Sequence, residues 1–245
     1  MERAIALTTQ PKIINIENRL RFLAYLRSGK AWHSAIADQP GTIMTSLKKQ
    51  LKPTFPLESS SLKCWTVQDY HRMSELGILN PDERTELIAG QITLMAAKGT
   101  FLVTALGLLA RVLDKLLAEQ SAFVKTQDPI QLDDFSEPEP DLTIVKGTIL
   151  DYADHHPRPN QVYLVVEVAD STLKYDCEVK DKVYAQAGID DYWVLDVRNR
   201  QLHIFRNPIS TGYTSHLILK EPNQISPLFF GNLILNLTSI LPPVS

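Results

Sequence analysis

The chain has 245 residues, 44% hydrophobic and 22% charged, with a formal net charge of −3. That is enough apolar material for one well-filled domain with chain left over, and it excludes the broad basic excess of a strong duplex binder, so any nucleic-acid contact must come from a local patch or a bound metal. Two isolated cysteines, Cys64 and Cys177, are too few for a disulfide framework or a zinc cluster.

The start MERAIALTTQ lacks the apolar core of a secretory signal. The longest apolar stretch, PLFFGNLILNLTSIL, is interrupted by Gly231, two Asn and Thr238 and is too short for a bilayer. A soluble, cytoplasmic protein with no membrane partner is the expectation. Residues 1–61 differ from the rest: Ile14 to Leu26 suits one short amphipathic helix, and Gly29 to Ser61 mixes small, polar, Lys and Pro residues without a period. Met44 opens MTSLKKQLKPTF, which would itself pass for a protein start. The reading is a poorly ordered N-terminal extension or an over-long gene start, followed by one domain over residues 62–245.

Within that domain, Thr66 followed by Asp69 predicts a capped helix, with Gly77 as its C′ residue. RTELIAGQITLMA reads as two half-strands turning at Ala89-Gly90. From Phe101 to Glu119, Leu102, Leu106, Leu109, Leu113, Leu116 and Leu117 recur at helical spacing, which predicts a core helix without chemistry. Short strands are expected at Ala122–Gln127 and Ile130–Leu132. SEPEPD then holds the chain extended into a strand at Leu142–Val145. His155 and His156 lie in a polar loop and read as solvated.

Tyr163 to Ala169, YLVVEVA, is a strand buried on both faces, and a carboxylate, Glu167, sits inside it. A helix from about Tyr175 to Ala187 ends at Gly188. DYWVLD and QLHIFR are strands joined by a tight turn at Val197–Arg200, GYTSHLIL is another, and ISPLFFGNLILNLTSIL packs on the core as a strand or short helix. The order implies a mixed β-sheet flanked by helices, of α/β class.

The buried Glu167 needs a cation or dedicated donors. Asp141 opens the preceding strand, and if the two strands are neighbours both acids meet at one edge. They would repel there unless one is protonated or a divalent ion lies between them. Hard oxygen ligands favour Mg²⁺ or Mn²⁺. At 100° per residue, Val179, Val183 and Ala187 form the stripe facing the sheet, with Asp176 close to it and Lys180 at its side. Tyr184 follows Lys180 by one turn, and Lys182 points to the other flank. A structural ion pair of Glu167 with Arg or Lys, and an exposed Asp176–Lys180 pair, are the plainer alternatives.

The pieces WTVQDYHRMSELGIL, ERTELIAGQITLMA, SEPEPDLTIV, VVEVADSTLKYDCEVKDKVYAQAGIDDYWVLD and ISPLFFGNLIL, in this order, resemble the Uma-type restriction endonuclease family of the PD-(D/E)xK nuclease superfamily. The resemblance covers about Trp65 to the C-terminus and implies a restriction-endonuclease-like α/β core. It implies that Asp141 and Glu167 are metal ligands, that the motif lysine, absent at Ala169, is Lys180 on the next helix, and that Glu86 is a further ligand or a base. Gln127 matches a glutamine lining the same cleft; helix geometry adds Asp176 and Tyr184 as candidate cleft residues, with Lys182 solvated or phosphate-facing at its margin. Two positions depart from the family pattern: Leu102 replaces a His and Ala89 an Asp.

The implied activity is metal-dependent hydrolysis of DNA by a Mg²⁺ (or Mn²⁺) endonuclease, with Lys174, Lys180, Lys182 and Arg198 as a local basic patch. A homodimer is the expectation by analogy. The alternatives are a nuclease-fold binding module without turnover and a metal-free dimeric scaffold with Glu167 salt-bridged.

Overall fold

A computed structural model describes residues 62–243, so the helix expected at Ile14–Leu26 and the extension around it lie outside the described residues. Helix α1, Val67–Glu75, begins where the sequence places it: Thr66 Oγ1 accepts from Asp69 N, and Asp69 Oδ2 accepts from Thr66 N. This reciprocal capping satisfies two of the free donors at the helix start. Leu76 caps the end and Gly77 follows at φ +66°, the left-handed conformation that stops a helix.

The hairpin β1 (Thr85–Ile88) and β2 (Gln91–Leu94) turns at Ala89 and Gly90, with φ +48° and +76°. Gly90 is required twice over. Beyond its positive φ, a Cβ there would lie 2.6 Å from that of Cys64. The hairpin forms its own two-stranded sheet and is bridged to the chain at Leu87 and Glu137. Helix α2, Thr100–Leu117, buries Ala105, Leu106, Leu109, Leu113 and Leu117, while Leu102 and Leu116 are half-buried at its margins.

The main sheet has six strands in spatial order β3-β4-β5-β6-β7-β8. They are β3 (Ala122–Thr126), β4 (Leu142–Lys146), β5 (Val162–Ala169), β6 (Asp191–Asp196), β7 (Gln201–Ile209) and β8 (Gly212–Lys220). Only β5 and β6 run parallel, and the helical segment between them makes the crossover that parallel strands require. The Val197–Arg200 turn joins β6 to β7 as expected. Ile130–Leu132 is not a strand, although Ile130 and Leu132 are buried. Here Ile130 N and Leu132 N donate to Pro138 O and Ser136 O, so the segment folds back on 136–138 as a loop. At the C-terminal end, β9 (Gln224–Ile225) pairs with β10 (Leu235–Asn236), flanked by single 3-10 turns.

Strand periodicity divides β5 between two cores. Leu164, Val166 and Val168 pack with α2 and the C-terminal segment, while Val165 and Ala169 pack on the opposite face with Tyr184, Ile189 and Tyr192. Glu167 belongs to the second set by its odd register, which aims it at the crossover helix.

That helix, α3, is made of three consecutive pieces: Leu173–Tyr175, a π-turn at Asp176–Lys180, and Asp181–Gln186. The π-turn corrects the expected apolar stripe. Val179 is 40% exposed, while Asp176, Lys180 and Tyr184 are buried. An i→i+5 turn holds more residues than an α turn and so rotates the face that follows. Val183 and Ala187 remain against the core as half-buried packing.

Candidate active site

Antiparallel pairing of β4 and β5 sets Leu142 opposite Val166, which places Asp141 beside Glu167. Asp141 Oδ2 accepts from Val168 N at 2.8 Å, and Asp141 N donates to Glu167 Oε2 at 3.4 Å. From α3, Lys180 Nζ donates to Glu167 Oε1 at 2.9 Å and lies 3.0 Å from Glu86 Oε2. Tyr184 OH donates to the same Glu167 oxygen at 2.9 Å. Glu86 arrives from β1 and also accepts from Glu139 N at 3.2 Å. Four separate segments thus deliver Asp141, Glu167, Lys180 and Glu86 to one place, each about 95% buried.

The cleft beside them is lined by these four residues together with Lys98, Leu102, Tyr175 and Asp176. Four acids (Glu86, Asp141, Glu167, Asp176) face two amines, Lys180 and Lys98, while a fifth lining acid, Asp170, pairs with Arg198, and the electrostatics follow from that imbalance. Burial pushes Glu167 up against the pull of Lys180, and Asp141, Asp176 and Glu86 add to the rise, so the carboxyl reaches about 8. Burial likewise carries Asp176 to about 6, opposed by Lys180. For Lys180 burial acts downward, but Glu167, Glu86 and Asp176 outweigh it and hold the amine above its ordinary value. The ammonium therefore stays charged, and negative charge is in excess around it. A hard divalent cation suits this donor set of carboxylate oxygens.

Of the other residues anticipated from sequence, Asp176 lines the cleft, and Tyr184 stands behind Glu167 as a fully buried donor. Gln127 does not line the cleft. Its backbone, at φ +55°, donates to Asp141 O at 3.1 Å and so positions the aspartate. Lys182 is exposed and outside the cleft. The expected basic patch is thinner than its residues suggest. Lys180 is absorbed by the acids, Arg198 pairs with Asp170 at 2.7 Å, and Lys174 lies 3.8 Å from Glu178.

Sequence reasoning missed Lys98, which pairs with Asp141 Oδ1 at the cleft wall. A lone lysine between a hairpin and a helix carries no pattern that could have flagged it. Leu102 puts an apolar side chain on the same wall. His156, read as solvated, turns instead toward His71 and Glu137.

The Uma2 family profile, described as "Putative restriction endonuclease", matches residues 67–238. The chain belongs to this family. Its fold is that of a crystal structure from Anabaena variabilis ATCC 29413, described as a "putative nuclease belonging to DUF820". The two share 12% identity and superpose with a TM-score of 0.53, over 71% of this chain and 96% of that one. Among curated proteins none matches the sequence. Membership of the Uma2 family accounts for the nuclease-type fold. No helix among the described residues is long and apolar enough to cross a membrane.

Proposed function

We propose that this Uma2-family chain is a Mg²⁺- or Mn²⁺-dependent endonuclease that hydrolyses phosphodiester bonds in DNA. The observation that carries the reading is the meeting of Asp141, Glu167 and Lys180, with Glu86, at the edge of one cleft. Asp141 and Glu167, with the backbone carbonyl of Val168 and with Glu86 as an additional ligand, would hold the ion. The ion supplies Lewis-acid polarisation of a phosphoryl oxygen and a lowered pKa for water.

The chain's own groups do the rest. Lys180, fully charged, aims its ammonium at the region where negative charge grows on the phosphorus oxygens, and its grip on Glu167 and Glu86 keeps it fixed there. Tyr184 holds Glu167 from behind, and the Val168 N–H holds Asp141. Glu86, held by Lys180 and by the Glu139 N–H, would complete the ligand shell.

Purified protein with Mg²⁺ or Mn²⁺ should nick or cut DNA. Glu167→Gln, Asp141→Asn and Lys180→Met should each lower the rate about 10²–10³-fold, the scale of losing one transition-state contact in a closed site. Cutting that survives Glu167→Gln would refute the assignment.

A second reading is favoured by Lys98 and Leu102. With an amine already on Asp141 and an apolar wall beside it, the chain would bind nucleic acid or protein without turnover. Divalent-ion binding with no cleavage of any DNA form would select that reading.

A further inference from the structure

Beside the bridge between Leu87 and Glu137 lies a cluster that the nuclease reading does not use. His71 of α1, Glu137 of the segment joining β3 to β4, and His156 of the loop joining β4 to β5 bring their ligand-forming atoms within 4.8 Å of one another. His71 Nε2 lies 2.6 Å from Glu137 Oε1, and the two imidazoles stand edge-on with centroids 6.4 Å apart. The Glu137 side chain is only 3% exposed, and its second oxygen, Oε2, is buried with no hydrogen-bond partner. A simple His71–Glu137 ion pair leaves that oxygen desolvated and unpaired, a cost of about 1–3 kcal/mol.

We propose that His71, Glu137 and His156 form a second metal site, selective for Zn²⁺ or a similar borderline divalent ion. Two imidazoles and one carboxylate are the donor set such ions prefer, whereas Mg²⁺ and Ca²⁺ take oxygen. A tetrahedral ion places its ligand atoms roughly 3.4 Å apart, between the 2.6 Å and 4.8 Å found here. Small side-chain rotations of the two imidazoles close the site. Three protein ligands leave a fourth position for water.

The backbones behind the ligands are tied to one another. Val67 N donates to Asp134 O at 2.8 Å, which docks the start of α1 on the Glu137 segment. Glu137 itself exchanges backbone hydrogen bonds with Leu87, at 2.8 and 3.2 Å. Pro157 restricts His156 to extended backbone, and its carbonyl accepts from Gln131 N at 3.0 Å. The neighbouring His155 turns away, to Asp154 at 2.7 Å. An ion here would pin α1 and the β4–β5 loop to the strand carrying Glu86, one residue from Leu87.

The test uses the full chain, stripped with chelator and titrated with Zn²⁺ against a chromophoric competitor, and with Co²⁺ for its visible spectrum. Wild type should take up one Zn²⁺ that a large excess of Mg²⁺ does not displace, with a rise in Tm and a tetrahedral Co²⁺ spectrum. His71→Ala, His156→Ala and Glu137→Gln should each weaken binding by at least about 100-fold, the upper end for losing even a supporting contact of a metal ligand. They should also abolish the Tm rise. His156→Ala removes only a loop side chain, so it keeps the test decisive if the other two variants fold poorly. Equal Zn²⁺ affinity in wild type and His156→Ala, or no Zn²⁺ uptake by wild type, would overturn the proposal. Neither outcome depends on whether the chain cuts DNA.

Discussion

Glu167 and Asp191 are buried carboxylates on adjacent parallel strands, facing opposite sides of one sheet, and they are treated in opposite ways. Asp191, fully buried, is surrounded by donors. Arg206 Nε and an Nη donate at 2.7 and 3.2 Å, Trp193 Nε1 at 2.8 Å and Leu228 N at 2.7 Å. Glu167 has one ammonium and one phenol on a single oxygen, and a long contact from Asp141 N on the other. Burial raises both acids. At Asp191 only donors act against that rise, whereas at Glu167 Asp141, Asp176 and Glu86 add to it. One is a closed structural pair, and the other is an under-neutralised cluster opening on a cleft. Burial alone does not separate structure from function; the local charge balance does.

The comparison is tested most severely at Asp191. Asp191→Ala strands the half-buried Arg206 and the Trp193 indole N–H, and should cost about 3–5 kcal/mol in denaturant melts, with metal response unchanged. Loss of Mg²⁺ response in a folded Asp191→Ala protein would break the distinction. Glu167→Gln should behave in the opposite way. In metal-free protein below about pH 8 the carboxyl already carries its proton, so the near-isosteric amide should leave stability within about 1 kcal/mol, while cutting is lost.

The same contrast appears on the pH axis. Folded Glu167 keeps its proton to about pH 8, whereas an ordinary Glu carboxyl loses it near 4.5. Between those values the folded state binds more protons than the unfolded one, so metal-free stability falls as pH rises through this window. Thermal melts in chelator from pH 5 to 8 should show the decline in wild type, and a shallower one in Glu167→Gln. The smallest effect belongs to Lys98. Lys98→Met frees Asp141 and should tighten Mg²⁺ binding by about tenfold, from the ~1.5 kcal/mol of one charge-assisted hydrogen bond, as read by titration calorimetry.

Much of this was legible in the chain. The capping pair Thr66 and Asp69, the Ala89-Gly90 turn, the α2 leucines and the apolar run around Glu167 are local signals, and local geometry obeys them. Asp141 and Glu167 could be paired because consecutive strands are usually neighbours. The resemblance to the Uma-type family supplied Glu86, which no spacing rule reaches. Harder to see was the π-turn, since five residues of ordinary helical character do not announce a change of pitch. Ile130–Leu132 looked like a strand because buried apolar triplets read alike whether they join a ladder or fold back as a loop.

By itself, then, the sequence determined where helices and strands begin, and that one acid must sit inside the sheet, because capping, turn chemistry and alternation act over a few residues. Tertiary structure decided how the charges around that acid are balanced. Lys98 and Glu86 reach the site from distant positions, the π-turn selects Lys180 and Tyr184, and His71, Glu137 and His156 converge from three elements. Charge compensation acts through space over a few ångströms, and only the folded chain sets those distances.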